Sequence, residues 1–156
     1  MGRIDARAAV LAGIIAALVF MMLEMVLVAS VGGESPWGPP RMIAAIGMGQ
    51  TVLPPPATFD LTVFLVAVLI HMVLSIVLAF VFAAITARMN WGLGMMLVSG
   101  AVFGLAVYFV NFYGFTALFP WFAMARNSIS VFAHMMFGVA LAVAYGRLTR
   151  HAVEPV

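Results

Sequence analysis

Leu61-Thr-Val-Phe-Leu-Val-Ala-Val-Leu-Ile-His71-Met-Val-Leu-Ser75-Ile-Val-Leu-Ala79-Phe-Val-Phe-Ala83-Ala-Ile-Thr-Ala87 runs for 27 residues without an Asp, Glu, Lys or Arg. An α-helix rises 1.5 Å per residue, so roughly 20 apolar residues cover a hydrocarbon core of about 30 Å. This stretch is long enough to cross a bilayer. Three more apolar runs flank it, at residues 8–31, 91–112 and 128–148. The first follows Arg3 and Arg7, as the core of a signal peptide would. Such cores run about 7–15 residues and end at a small-residue cleavage site, whereas this run is longer and carries Glu24. It therefore reads as a helix that stays in the membrane. The expected fold is all-α, an integral membrane bundle of four transmembrane helices forming one domain over residues 1–156.

Composition agrees. Of the 156 residues 66% are hydrophobic and 8% charged, against about 25% charged in a soluble domain. There is no Lys, the net charge is +2, and no basic cluster marks a nucleic-acid surface. With no Cys, disulfides, thiolate-held iron–sulfur clusters and covalently attached c-type haem are excluded, while cofactors held by His or carboxylate are not.

Orientation follows from the arginines. If both termini are cytoplasmic, Arg3, Arg7, Arg88, Arg147 and Arg150 lie inside and Arg41 and Arg126 outside, which satisfies the positive-inside rule. The long connections, residues 32–60 and 113–127, then face the periplasm, and Met89-Asn90 makes a minimal cytoplasmic turn. Prolines 36, 39, 40 and 54–56 bracket residues 41–49, a piece suited to a short helix at the membrane surface. The apolar second connection is expected to bed into the headgroup layer. Trp37, Trp91 and Trp121 fall at the boundaries, where indoles anchor. Pro36-Trp37 followed by Arg41, and Pro120-Trp121 followed by Arg126, form a faint repeat of two hairpins in one orientation.

Helices in lipid associate through close packing at small residues. Each span carries such residues four apart: Ala9, Gly13 and Ala17; Ser75, Ala79, Ala83 and Ala87; Gly100 and Gly104; Gly138, Ala142 and Gly146. Extended toward the outer ends, these stripes meet Glu24, His71, Asn111 and His134, because residues four or seven apart share a helix face. From the helical rise, Glu24 and His134 lie roughly 10 Å below the outer boundary, His71 roughly 15 Å, and Asn111 near the surface. An ionisable residue within a membrane is costly, by about 2.5–3.5 kcal/mol or more at mid-bilayer, and marks a candidate site.

Two imidazoles and a carboxylate, His71, His134 and Glu24, form a ligand set for a divalent transition metal such as zinc, iron or copper. His71 and His134, on parallel spans, match the axial pair of a b-type haem. Either cofactor implies a metal- or haem-binding subunit of a redox complex. Without a cofactor, Glu24 and the histidines suit proton relay or cation recognition in a small transporter, and four helices then call for a homo-oligomer, whose interface the stripes would supply. The plainest alternative is that Glu24, His71, Asn111 and His134 hydrogen-bond one another and fix helix register in a non-catalytic accessory subunit of a larger membrane complex. Ser75 is a further polar candidate. Arg41 and Arg126 suit headgroup anchoring, or an anionic ligand at the outer face. His151 reads as a solvated tail residue, and the 13 Met as flexible apolar filler. No nucleophile–base pair or phosphate loop suggests an enzyme acting alone.

Ser35-Pro-Trp-Gly-Pro-Pro-Arg41-Met-Ile-Ala-Ala45, Leu53-Pro-Pro-Pro-Ala-Thr-Phe-Asp60, Asn111-Phe-Tyr-Gly-Phe115, Phe119-Pro-Trp-Phe-Ala-Met-Ala-Arg-Asn127 and Phe132-Ala-His134 give the chain a further handle. Across nearly its whole length it resembles a family of short, uncharacterised four-helix proteobacterial inner-membrane proteins. Some carry the label sodium:proline symporter, which does not fit four spans. The resemblance implies the four-helix fold and the bacterial inner membrane, and no function or site residues.

Overall fold

In the computed structural model, residues 4–53, 55–87, 89 and 92–151 are described, the last two without their side chains. The expectations for Arg3, Arg88, Asn90, Trp91 and the side chains of Arg150 and His151 lie outside the described residues. Among the described residues there are five α-helices: α1 (Ala6–Ser30), α2 (Gly38–Met48), α3 (Leu61–Thr86), α4 (Leu93–Phe109) and α5 (Ser128–His151). All but α2 belong to segments long and apolar enough to cross a membrane, α4 when counted through to Ala117. The protein is an all-α bundle of four such helices.

Their boundaries follow local chemistry. Asp5 accepts from Ala8 N, Asp60 from Val63 N and Asn127 from Ser130 N, so α1, α3 and α5 each begin on an N-cap that satisfies an otherwise free N–H. The far end of α4 departs from α geometry: it widens into a π turn over Val110–Gly114, then tightens into 3₁₀ turns at Phe115–Ala117 and Pro120–Ala125.

The small-residue stripes form the helix contacts. α1 packs between α3 and α5, and α5 packs in turn on α4. At Gly13 a Cβ would lie 2.9 Å from the Ile76 Cα, so α1 and α3 touch backbone to backbone. Between α4 and α5, Gly100 faces the backbone of Gly138 and the methyl of Ala142, and Gly104 lies directly on the His134 carbonyl. Gly146 leaves space for the Met96 side chain. The stripes are thus consumed inside the chain, which corrects the expectation that they could serve a homo-oligomer. α3 and α4 meet chiefly through large side chains, with the rings of Phe82 and Phe103 5.2 Å apart.

The first connection also differs from expectation. Its short helix is present where expected but starts earlier than residue 41: Pro39 and Pro40 lie in the first turn of α2, where a missing N–H and a fixed φ suit a helix start. α2 packs on the bundle. Trp37 stacks against Phe59 and Phe64, Ala44 packs on Val63 and Ala67, and Gly47 faces Ile70. α2 therefore runs lengthwise beside the first turns of α3, in the same direction. Gly49, at φ +81°, turns the chain back.

Candidate functional site

At the end of the bundle that carries the two long connections, the core becomes polar. Glu24 on α1 is 5% exposed, and its Oε1 accepts a 2.6 Å hydrogen bond from the fully buried Ser130 hydroxyl on α5. Its other oxygen, Oε2, is the one buried side-chain polar atom among the described residues with no partner. One turn further in, Phe20 stands between two imidazoles, with ring centroids 5.2 Å from His71 on α3 and 4.7 Å from His134 on α5. The expected single layer is therefore two: Glu24 with Ser130, and beneath it His71, Phe20 and His134.

Each imidazole is fixed by a backbone carbonyl. His71 Nε2 donates to Ala17 O at 3.0 Å, which leaves Nδ1 without a hydrogen bond among the described residues. His134 Nδ1 donates to Ser130 O at 2.7 Å, and its Nε2 accepts from Asn111 Nδ2 at 3.3 Å. Asn111 lies in the π turn that ends α4, a helix irregularity often found at functional sites. Tyr108 and Phe112 close the apolar side of His134, with ring centroids 5.6 and 5.2 Å away.

This geometry lends the metal and haem expectations no support. Among the described residues no three His, Asp or Glu side chains converge to hold a metal ion. Phe20 packs against both imidazoles, and both Nε2 atoms are already hydrogen-bonded. Glu24, His71 and His134 share a region without converging as a three-residue ligand set among the described residues. The mutual hydrogen bonding expected of the four polar residues is found for Asn111 and His134 alone. Glu24 uses Ser130, and His71 uses the α1 backbone.

The remaining candidates have structural partners. Ser75 is buried where α1 crosses α3, beside Gly13. Arg41 donates to Val52 O at 2.8 Å and Thr58 O at 2.9 Å, closing the first connection on itself. Arg126 donates to Phe112 O at 2.7 Å and Thr116 Oγ1 at 3.0 Å, and its guanidinium lies 4.3 Å from the Tyr113 ring centroid. The two arginines thus play matching parts, each tying backbone carbonyls in or beside its connection. Trp121 joins the connections to each other through Nε1, which donates to Met42 O at 3.0 Å.

Ser130 and Phe20 are the site residues that the sequence reading missed. Ser130 was within reach, since it stands one turn beyond His134 on the stripe Gly146, Ala142, Gly138, His134. Phe20 carries no such mark in a chain with 13 Phe.

Compared with known proteins, the chain matches no family model, no curated protein and no solved structure.

Proposed function

We propose that this chain is a small proton-handling protein of a bacterial inner membrane, not an enzyme on its own, in which Glu24 takes up and releases a proton at the outer end of the bundle. The observation that carries this is Glu24 Oε2, a buried carboxyl oxygen with no donor among the described residues. Buried polar atoms are nearly always paired, and exceptions call for an explanation such as a role in chemistry or a bound species. A proton is the smallest species that meets a lone carboxyl oxygen in a tightly packed core, and its exchange changes the charge within an apolar bundle by one. Ser130 fixes the carboxyl through the opposite oxygen, so Oε2 stays available.

The orientation in this proposal has both termini in the cytoplasm. Arg7 and Arg147 mark that end, while Arg41 and Arg126 at the other are turned onto loop carbonyls. Four helices packed this closely are few to enclose a path, so the working unit proposed is a homo-oligomer in which the path runs between copies. The test is pH-driven proton flux into liposomes carrying the purified protein and an internal pH dye. Glu24→Gln keeps an acceptor for Ser130 and removes the exchangeable proton, so it is expected to abolish the flux while the helical content is kept. Flux equal to that of the unaltered protein in Glu24→Gln would overturn the proposal.

A further inference from the structure

At the opposite end of the bundle, an open groove of about 370 Å³ runs between α1 and α5, lined by Ile15, Ala140, Val143, Ala144, Arg147 and Leu148. Ala140, Ala144 and Leu148 recur every fourth residue along α5, and the two small side chains make the depression. Ile15, 43% exposed, supplies the α1 wall. Five of the six lining residues are apolar. The exception is Arg147, which is exposed and makes no hydrogen bond or ion pair among the described residues, in contrast to Arg41 and Arg126.

The register of α5 sets the depth of this feature. Arg147 lies 19 residues beyond Ser128, or roughly 28 Å along the axis, so it reaches the far boundary of a hydrocarbon core of about 30 Å. Ala140 lies roughly 10 Å back toward the membrane centre by the same rise. A guanidinium at headgroup level above an apolar trough one to two turns long matches one kind of molecule in its plan: a phosphate joined to an acyl chain. Arg pairs with phosphate through two parallel N–H donors, and basic pockets between transmembrane helices are suited to anionic headgroups.

We propose that this groove is a binding site for one anionic phospholipid, with its phosphate on Arg147 and the first part of an acyl chain against Ala140, Val143 and Ala144. A zwitterionic lipid offers the same chain and phosphate but also a cationic headgroup beside the guanidinium, so the site favours a lipid with net negative charge. The inference is independent of the role of Glu24, which sits at the other end of α1.

Native mass spectrometry of the full chain released from mixed micelles tests it, with palmitoyl-oleoyl phosphatidylglycerol and palmitoyl-oleoyl phosphatidylcholine supplied in equal amounts. The expected result is one retained phosphatidylglycerol per chain under conditions that strip phosphatidylcholine. Arg147→Gln is expected to lower that occupancy at least fivefold. Ala140→Leu fills the trough from its open side and is expected to lower it similarly with Arg147 intact. Arg7→Gln, at the same end but outside the groove, is expected to leave it unchanged. Equal retention of the two lipids, unchanged occupancy in Arg147→Gln, or an equal loss in Arg7→Gln would each overturn the proposal, the last by reducing it to general surface charge.

Discussion

The Ser130 hydroxyl donates to Glu24 Oε1 at 2.6 Å across the interface of α1 and α5, joining residues 106 apart in the chain. It is the only side-chain donor that the carboxyl has among the described residues, so its loss leaves two buried acceptors unmet in place of one. Ser130→Ala is therefore expected to destabilise the bundle by about 1–3 kcal/mol, the cost of stranding a buried polar group. Equilibrium unfolding in mixed micelles measures it. If the interaction is the cause, Ser130→Ala costs less in a Glu24→Leu background, where nothing is left to satisfy; equal costs in both backgrounds would assign the effect to packing alone.

The contact of Gly104 with the His134 carbonyl makes a sharper claim. A methyl added at Gly104 has no flexible side chain to displace, because the neighbouring atoms are the backbone of α5. Overpacking a core costs about 1–3 kcal/mol even where side chains can yield. Gly104→Ala is expected to exceed that range and to force α4 away from α5, breaking the Asn111–His134 hydrogen bond. Gly94→Ala, at a position with open space, is expected to be neutral or mildly stabilising through better helix propensity. Thermal unfolding of both variants checks the pair, and similar behaviour would refute the packing.

How much of this was legible in the sequence depends on which interaction carried the information. The spans were legible because bilayer thickness imposes a length on apolar runs, and the observed helix ends fall within three residues of those expected. The stripes were legible because close approach of two helices requires small residues at a fixed period, as at Gly13 and Gly100. The same period led to Glu24, His71, Asn111 and His134. The identity of each partner was not legible. His71 bonds to the carbonyl of Ala17 and His134 to that of Ser130, and a backbone acceptor leaves no trace in residue identity. The earlier start of α2 was missed for a related reason, since Pro39 and Pro40 break a helix within its interior but start one at its first turn.

Because no three His, Asp or Glu side chains converge among the described residues, no bound metal is expected to support the fold. Incubation with EDTA is expected to leave the unfolding temperature unchanged, and elemental analysis of the purified protein is expected to find the same trace metal in His71→Ala and His134→Ala as in the unaltered chain. A stoichiometric metal lost in both variants would mean that Phe20 swings out and the two histidines converge.

The two connections are held together at one identified point, Trp121 Nε1 to Met42 O at 3.0 Å, and this contact predicts a local effect. The other atoms of the indole pack on Phe119 and Phe122, with ring centroids 5.3 and 5.9 Å away, within the second connection. Trp121→Phe retains most of that aromatic packing and removes the donor. The expected loss is about 0.5–1.5 kcal/mol, the net worth of one hydrogen bond. Because α2 is tied by Arg41 to its own connection and by Ala44 to α3, the loss is expected to appear as faster hydrogen exchange over residues 42–50, with exchange in the four long helices unaltered. Faster exchange throughout α3 as well would show that α2 and the first half of α3 open as one unit, and that the tie between the connections holds that end of the bundle rather than one loop.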